Sequence, residues 1–157
     1  MMKSILGNLD AKKIKIVIIF AKYNSIIVNK LLDGALDAFD YYQGDKKNII
    51  LIQVPGAFEI PGVINQVMDN IKTDCILALG SIIRGGTPHF DYVAGESSNG
   101  IAFFSKTKNI PVINGILTTD NIEQALERAG TKAGNKGWEL METAIETSSI
   151  YKQIQNN

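Results

Sequence analysis

Apolar and polar positions alternate in blocks along this chain, and four of the apolar blocks are rich in β-branched residues and almost free of charge. They span residues 14–20, 48–54, 74–83 and 110–117. Near-continuous apolar runs of this kind are typical of strands buried on both faces of a parallel sheet. Their starts lie about thirty residues apart, the length of a strand–helix–strand unit. We therefore predict four buried parallel strands.

Between and after these strands, apolar residues recur every three to four positions, which predicts amphipathic helices. The clearest stripe covers residues 27–39, and Asn24 and Ser25 before it can cap that helix. Asp120 and Glu123 have the spacing of a capping pair for a later helix. The other helices are predicted at 61–71, 90–105, 120–128 and 135–153.

The order βαβαβαβ followed by two helices predicts an α/β fold. We expect a three-layer sandwich with an open four-stranded parallel sheet, resembling flavodoxin-like proteins. A chain of 157 residues can bury one core, so we expect a single domain over residues 1–157, with 1–12 as an N-terminal extension. Ligands of such sheets bind beyond the carboxyl ends of the strands, where we expect the site residues.

Charge and cysteine content narrow the possible partners. Lysine plus arginine equal aspartate plus glutamate, 16 against 16, so no global charge favours nucleic acid or an anionic membrane. No apolar run reaches transmembrane length, and the N-terminus lacks the apolar core of a secretory signal. The single Cys75 cannot form an internal disulfide, which fits a reducing compartment. We expect a cytoplasmic protein that binds neither nucleic acid nor membrane.

The loop after the third strand carries the densest set of reactive groups. It contains a fixed cation, a pair of glycines, a hydroxyl and the chain's only histidine, in the order Arg84, Gly85, Gly86, Thr87 and His89. Such a loop suits a phosphorylated substrate whose reaction needs proton transfer. The alternative is a plain turn before a helix, with the histidine as a capping or surface residue.

The other strands are followed by residues that a ligand could use. Tyr23 can stack on a planar ligand, and a half-buried loop tyrosine is the alternative. Glu59 can accept hydrogen bonds from sugar-like hydroxyls or favour the helix that follows it. Near the fourth strand lie Asn114 and, in the next helix, Arg128, which can clamp a phosphate or face solvent.

Other ligand-binding motifs are incomplete. Residues 80–87 have the glycine spacing of a P-loop, but Gly86 stands where a lysine is required, and the Rossmann glycine motif is absent. One histidine and one cysteine are too few ligands for a Cys/His metal cluster, so we expect no metal site.

Three longer segments together resemble the lumazine synthase family. They are residues 54–61 (VPGAFEIP), 78–100 (ALGSIIRGGTPHFDYVAGESSNG) and 117–137 (LTTDNIEQALERAGTKAGNKG). The resemblance extends from about Lys15 to Tyr151, with the motifs in the family's order. It implies the condensation of 5-amino-6-(D-ribitylamino)uracil with 3,4-dihydroxy-2-butanone 4-phosphate to 6,7-dimethyl-8-ribityllumazine, with release of phosphate and water. It implies no metal or organic cofactor.

The resemblance also implies roles for individual residues. His89 would transfer protons, Arg128 would face the phosphate, and Tyr23 would stack on the pyrimidine. The other positions that match substrate contacts are Ala57, Phe58, Glu59, Ser81, Ile82, Ile83, Gly86, Thr87, Asn114 and Lys136.

Within that set, the resemblance implies four groups with different tasks. Residues 57–59 bind the ribityl chain and ring, and the backbone of residues 81–83 reads the uracil edge. Gly86 and Thr87 cradle the phosphate. The residues at 114, 128 and 136 come from the neighbouring subunit.

Two positions depart from the family's usual residues. Asn114 replaces a common phenylalanine, so a ring-stacking role there is in doubt. Tyr23 replaces phenylalanine or tryptophan, and its hydroxyl needs a partner.

The family forms pentamers, and many members form an icosahedral shell of twelve pentamers, which could enclose riboflavin synthase as a partner. The short segment 130–135, without an insertion, resembles that of the shell-forming members. An isolated pentamer or a decamer is the alternative. Two other functional classes stay open: a flavin- or lumazine-binding carrier without catalysis, and a purely structural shell protein.

Overall fold

The computed structural model describes residues 1–131 and 134–157, and it has the predicted order of strands and helices. The strands are β1 (Ile16–Ala21), β2 (Ile49–Val54), β3 (Cys75–Ile83) and β4 (Val112–Thr119). The α-helices are α1 (Ser25–Tyr41), α2 (Ile60–Asn70), α3 (His89–Thr107), α4 (Ile122–Gly130) and α5 (Lys136–Gln155). Short 3₁₀ turns at Lys46–Asn48 and Ala57–Glu59 precede β2 and α2.

The four strands form one parallel sheet in the order β2-β1-β3-β4, with Ile18 opposite both Leu51 and Leu77. Side chains of β1 alternate between two cores. Ile16 and Ile18 pack with α1, α4 and α5, whereas Val17 and Ile19 pack with α2 and α3. The predicted α/β three-layer sandwich with an open four-stranded parallel sheet is confirmed.

The expectation that all four strands are buried on both faces is wrong for β2 and β4. In β2, Ile50 and Leu51 are 44% and 46% exposed, and in β4 Asn114 and Thr118 are exposed, whereas β1 and β3 are almost completely buried. The reason is position: β2 and β4 are the edge strands, and each pairs with only one neighbour. An apolar strand sequence therefore does not establish that both faces of the strand are buried within a single chain.

Residues 1–11 have no regular secondary structure and lie against α5. The Asn8 backbone N–H donates to Ser149 Oγ at 2.8 Å, and Gln153 Nε2 donates to the Leu6 carbonyl at 2.7 Å. The predicted N-terminal extension is thus tied to the last helix of its own chain.

Two predicted helix caps are wrong. Asn24 precedes α1 in a left-handed conformation (φ 58°) and makes no side-chain cap; Asn24 Nδ2 donates instead to the Ser81 carbonyl at 2.7 Å. At α4 the cap is Asn121, whose side chain accepts from Gln124 N, and not Asp120. In both places a tertiary partner competes successfully with the local helix end.

Candidate active site

A cavity of about 240 Å³ opens at the carboxyl edge of the sheet, where the ends of β1 and β3 meet the start of α3. Its lining is Ala21, Tyr23, Asn24, Ala57, Ser81, Ile82, Ile83, Gly85, Thr87, His89, Phe90 and Val93. A second hollow of about 290 Å³ adjoins it and shares Tyr23, Ala57 and His89. The second hollow also contacts Phe58 and Glu59, so most of the predicted site residues lie together.

The loops after β1 and β2 are joined by backbone hydrogen bonds beyond the end of the sheet. Lys22 N donates to the Val54 carbonyl at 2.7 Å, and Tyr23 N donates to the Pro55 carbonyl at 3.0 Å. Tyr23 is 68% exposed and not half-buried, so its ring is available to a ligand.

Gly56 allows this tyrosine and Glu59 to approach each other. A Cβ on residue 56 would lie 2.7 Å from Tyr23 Cδ2 and 3.2 Å from Glu59 Oε2. The ring and the carboxylate therefore occupy the space that any other residue's side chain would need.

Ser81 is a polar residue of β3 in the lining of the cavity. It is buried, and its Oγ is the one buried side-chain N or O atom without a hydrogen-bond partner among the described residues. A buried unpaired hydroxyl is unfavourable by about 1–3 kcal/mol.

Asn24 was missed as a site residue, because it read as a helix cap. Its left-handed φ and its hydrogen bond to the Ser81 carbonyl hold the start of α1 against the end of β3. The side chains of Phe90, Tyr92 and Val93 were missed as well. A helical spacing argument from His89 finds Tyr92 and Val93, three and four residues further on.

Asn24→Ala is expected to destabilise the fold by about 2 kcal/mol, about half from the left-handed backbone and half from the lost hydrogen bond. Asn24→Gly is the matched control, because glycine adopts positive φ and loses only the hydrogen bond. Thermal unfolding at equal protein concentration measures both variants. An alanine variant no less stable than the glycine variant would contradict the strained-backbone explanation.

The loop between β3 and α3 presents unused backbone donors. In the part of the chain that the structure describes, the N–H groups of Gly85, Gly86 and Thr87 have no protein acceptor. A side chain built on either glycine would meet open space. His89 is the first residue of α3, so the N-terminal end of this helix points into the same region. Free amides beside a helix N-terminus form an arrangement that binds anions.

Arg84 does not lie in the loop as an unmatched cation. Its Nε contacts Asp120 Oδ1 at 3.0 Å, its Nη1 contacts Asp91 Oδ1 at 3.5 Å, and its guanidinium lies 4.3 Å from the Phe90 ring centroid. The hydrogen bond to Asp120 raises the pKa of Arg84 further. Two carboxylates thus balance the positive charge that the sequence places beside the glycines.

The resemblance assigns Asn114, Arg128 and Lys136 to the site of a neighbouring subunit. Within the described residues of one chain, none of these three residues lines the cavity around His89. Arg128 and Lys136 line a separate hollow of about 380 Å³, together with Glu127, Gly134 and Glu139. Arg128 Nη1 donates to the Gln124 carbonyl of its own helix at 3.3 Å, and Lys136 Nζ pairs with Glu139 Oε2 at 2.7 Å.

Asn114 lies inside β4, where its Oδ1 accepts from Ile116 N at 3.0 Å. It does not line either hollow around His89 in the described residues, and the same is true of Arg128 and Lys136.

Cys75 lies fully buried at the first position of β3, at the amino end of this central strand and away from the cavity. Burial raises the pKa of its thiol to about 12, so it stays protonated and is a poor nucleophile.

Residues 1–131 and 134–157 contain no group of three or more His, Cys, Asp or Glu side chains positioned for a metal ion. None of the helices in these ranges combines the length and apolar character that crossing a bilayer requires.

At its carboxyl edge, the open parallel sheet carries a pocket lined by the glycine loop, the Thr87 hydroxyl and the His89 imidazole. These features define a flavodoxin-like, small-molecule-binding α/β protein. The family model for 6,7-dimethyl-8-ribityllumazine synthase matches residues 13–152. The chain therefore belongs to the 6,7-dimethyl-8-ribityllumazine synthase family.

Individual relatives agree over nearly their full length. The 6,7-dimethyl-8-ribityllumazine synthase of Campylobacter jejuni subsp. doylei is 52% identical over 147 residues, 94% of this chain and 95% of the relative. The protein of this name from Campylobacter hominis is 53% identical over 143 residues, 91% and 92% of the two chains. That from Chloroherpeton thalassium is 47% identical over 152 residues, 97% and 98%. The resemblance inferred from the three motifs is confirmed.

Proposed function

We propose that this chain condenses 5-amino-6-(D-ribitylamino)uracil with 3,4-dihydroxy-2-butanone 4-phosphate to 6,7-dimethyl-8-ribityllumazine, releasing phosphate and water. Family membership supports a transferase of riboflavin biosynthesis, and no observation favours a carrier without catalysis. The observation that carries the proposal at the level of the site is that Tyr23, Ser81, Thr87 and His89 line one cavity.

The first cavity suits the pyrimidine. Tyr23 offers an exposed ring for stacking on a planar heterocycle. The same cavity is lined by Ser81, Ile82 and Ile83 at the end of β3, and we assign the polar edge of that ring to the backbone of these residues.

The second hollow suits the ribityl chain. Glu59 supplies carboxylate oxygens that accept hydrogen bonds from hydroxyls, and Ala57 and Phe58 supply the apolar surface beside them. Since the two hollows share Tyr23 and Ala57, a heterocycle in one can carry its side chain into the other.

We assign the phosphate of the four-carbon substrate to the loop after β3. The free amides of Gly86 and Thr87, the threonine hydroxyl and the start of α3 favour an anion there. No lysine or arginine, however, lines either hollow within the described residues of one chain. A phosphate dianion in a partly enclosed site needs a cation.

We assign that cation to Arg128 of a neighbouring copy, with Lys136 beside it and Asn114 contributing its polar edge or backbone. Support comes from the separate hollow in which Arg128 and Lys136 lie and from the open edge strand β2. Each site would then form between two subunits of a pentamer.

The proposed reaction begins with attack of the 5-amino group on the ketone, which forms an imine and expels water. Loss of phosphate, tautomerisation, ring closure and a second dehydration follow. His89 is placed between the two hollows, where it can move protons to and from the reacting atoms. Holding amine and ketone side by side supplies the larger part of the acceleration.

His89→Ala is expected to lower kcat about a hundredfold, the scale of acid–base catalysis, and to leave measurable turnover. Positioning by the remaining residues persists, so KM for both substrates should change little. Single-turnover kinetics measure the effect, and an unchanged rate would remove this histidine from the mechanism.

The proposed function is tested by mixing the purified protein with both substrates and following lumazine absorbance and phosphate release together. The enzyme produces both in equal amounts above the uncatalysed background. A carrier or an inert shell protein produces neither, and this outcome would refute the proposal.

We further propose that the pentamers assemble into a shell of sixty subunits, in the cytoplasm, with riboflavin synthase as a candidate partner. The support is the short segment 130–135, although residues 132 and 133 lie outside the described residues. Sedimentation velocity distinguishes a shell from a pentamer or a decamer.

A further inference from the structure

The side chain of Arg84 joins three elements around the proposed phosphate loop. It leaves the chain one residue after β3, contacts Asp91 in the first turn of α3, and contacts Asp120 between β4 and α4. The face of its guanidinium covers Phe90, a residue that lines the cavity. None of the roles assigned above uses this arginine.

The backbone on either side of the loop is fixed differently. Arg84 N donates to the Thr119 carbonyl at 2.9 Å, which extends the pairing of β3 with β4 by one residue. Asp91 N donates to the Pro88 carbonyl at 3.1 Å, within the turn that opens α3. Between these points, the described structure gives the amides of residues 85–87 no protein acceptor. The Arg84 side chain thus adds a polar link from the end of the sheet across the loop to the first turn of α3, beside the apolar packing of Phe90 and Val93 on the core.

We propose that Arg84 is a positioning residue for the phosphate-bearing substrate: by bridging Asp91 and Asp120 and covering Phe90, it orients the loop 85–88 and the first turn of α3. The substrate would then meet the loop's amides and His89 already arranged. This inference rests on the proposed function. It assigns Arg84 no direct contact with phosphate: two carboxylates hold its Nε and Nη1, and the test below distinguishes this role from phosphate binding.

Exposure argues that the role is geometric. The Arg84 side chain is 48% exposed, and exposed ion pairs contribute about 0–1 kcal/mol to stability. A planar guanidinium can bond two carboxylates and stack on a ring simultaneously, whereas a lysine ammonium cannot do both. Removing it also leaves Asp91 and Asp120 as unbalanced negative charges beside a site for a dianion.

The test is a mutant cycle that combines substitutions at Arg84, Asp91 and Asp120, and the measured quantity is KM for each substrate. Arg84→Gln is expected to raise KM for the butanone phosphate about tenfold, the effect of one lost charge-assisted interaction, with KM for the pyrimidine changed less than twofold. In an Asp91→Asn/Asp120→Asn background, Arg84→Gln is expected to raise KM for the butanone phosphate only about twofold, because the bridge between the two carboxylates is already absent. Lys106→Gln, in the last turn of α3, removes a cation elsewhere and should leave both KM values unchanged.

A second measurement needs no turnover. Hydrogen–deuterium exchange of the amides of residues 84 and 91, which donate to the Thr119 and Pro88 carbonyls on the two sides of the loop, is expected to rise in Arg84→Gln and not in Lys106→Gln. An equal KM increase in both backgrounds would show that Arg84 binds phosphate itself and would overturn the proposal. So would unchanged exchange, or equal losses for both substrates.

Failure of the proposed function is separate from these outcomes. It would show as a wild-type protein that makes no lumazine, and the exchange measurement would still decide whether Arg84 orders the loop.

Discussion

Arg128→Ala is expected to lower kcat/KM for 3,4-dihydroxy-2-butanone 4-phosphate by about a thousandfold, the loss typical of removing one partner from a desolvated charge pair. The reason is that, on the proposed arrangement, the phosphate would keep only Lys136 as a nearby cation. Among the described residues, neither hollow around His89 is lined by lysine or arginine, and Arg84 is balanced by two carboxylates. Steady-state kinetics at varied butanone phosphate and saturating pyrimidine measure the loss.

The controls separate charge from geometry. Arg128→Lys keeps the charge but not the two-pronged donor, so it should recover only part of the activity. The side chain's one described hydrogen bond is to the Gln124 carbonyl of its own helix, so thermal stability should hardly change. If Arg128→Ala bound the butanone phosphate as tightly as the wild type, the phosphate assignment would be wrong.

The fold could be predicted because its main determinants are local in the sequence. β1 and β3 read as apolar runs since they are the two central strands, and each is covered by helices on both faces. β2 has the same composition but lies at the edge. Composition alone does not distinguish a strand covered by its own helices from one partly open to solvent, because both favour apolar, β-branched residues.

The helix caps predicted at Asn24 and Asp120 were wrong for a different reason. Asn24 and Asp120 have the side chains that helix ends favour, and each instead binds a group distant in the sequence, the Ser81 carbonyl and Arg84. Helix-capping propensity describes which hydrogen bonds a side chain can make, but it does not say whether the helix end or a distant part of the fold will supply the partner. The neighbouring Asn121 took the cap of α4 because Asp120 was already paired.

The strand-end rule explains how far the site could be predicted. Residues after β1, β2 and β3 meet because parallel strands end at one edge, which brings together Tyr23, Glu59 and His89. The rule does not predict where Arg128 and Lys136 lie, because they belong to α4 and α5 and do not directly follow a strand. Within one chain they line a hollow separate from the one around His89. A site formed between copies has no sequence pattern of its own. That a second chain completes the site stays a proposal, which rests on the family resemblance and on the lack of lysine or arginine in the lining of the two hollows around His89 within the described residues.

Mixed assemblies of two impaired variants are expected to regain activity if each site is shared between copies. A His89→Ala subunit keeps Arg128, and an Arg128→Ala subunit keeps His89. In a ring with head-to-tail interfaces, random mixing in equal amounts leaves about a quarter of the interfaces with both intact residues. Co-expressing the two variants with different tags and isolating the doubly tagged assemblies should therefore give about a quarter of wild-type kcat per site, against about one hundredth or less for either variant alone.

The matched control pairs two variants on the same wall of the cavity. Tyr23 and His89 line the same hollow of one chain, so mixing Tyr23→Ala with His89→Ala creates no interface in which both residues are intact. This mixture should stay at the average of its two components. Activity of the first mixture no higher than that of the control would place Arg128 and His89 within one subunit's site or in unrelated sites. A quarter of wild-type activity in the first mixture alone requires that a phosphate bound beside His89 is contacted by the arginine of another chain, because no other pairing restores both groups to one reaction centre.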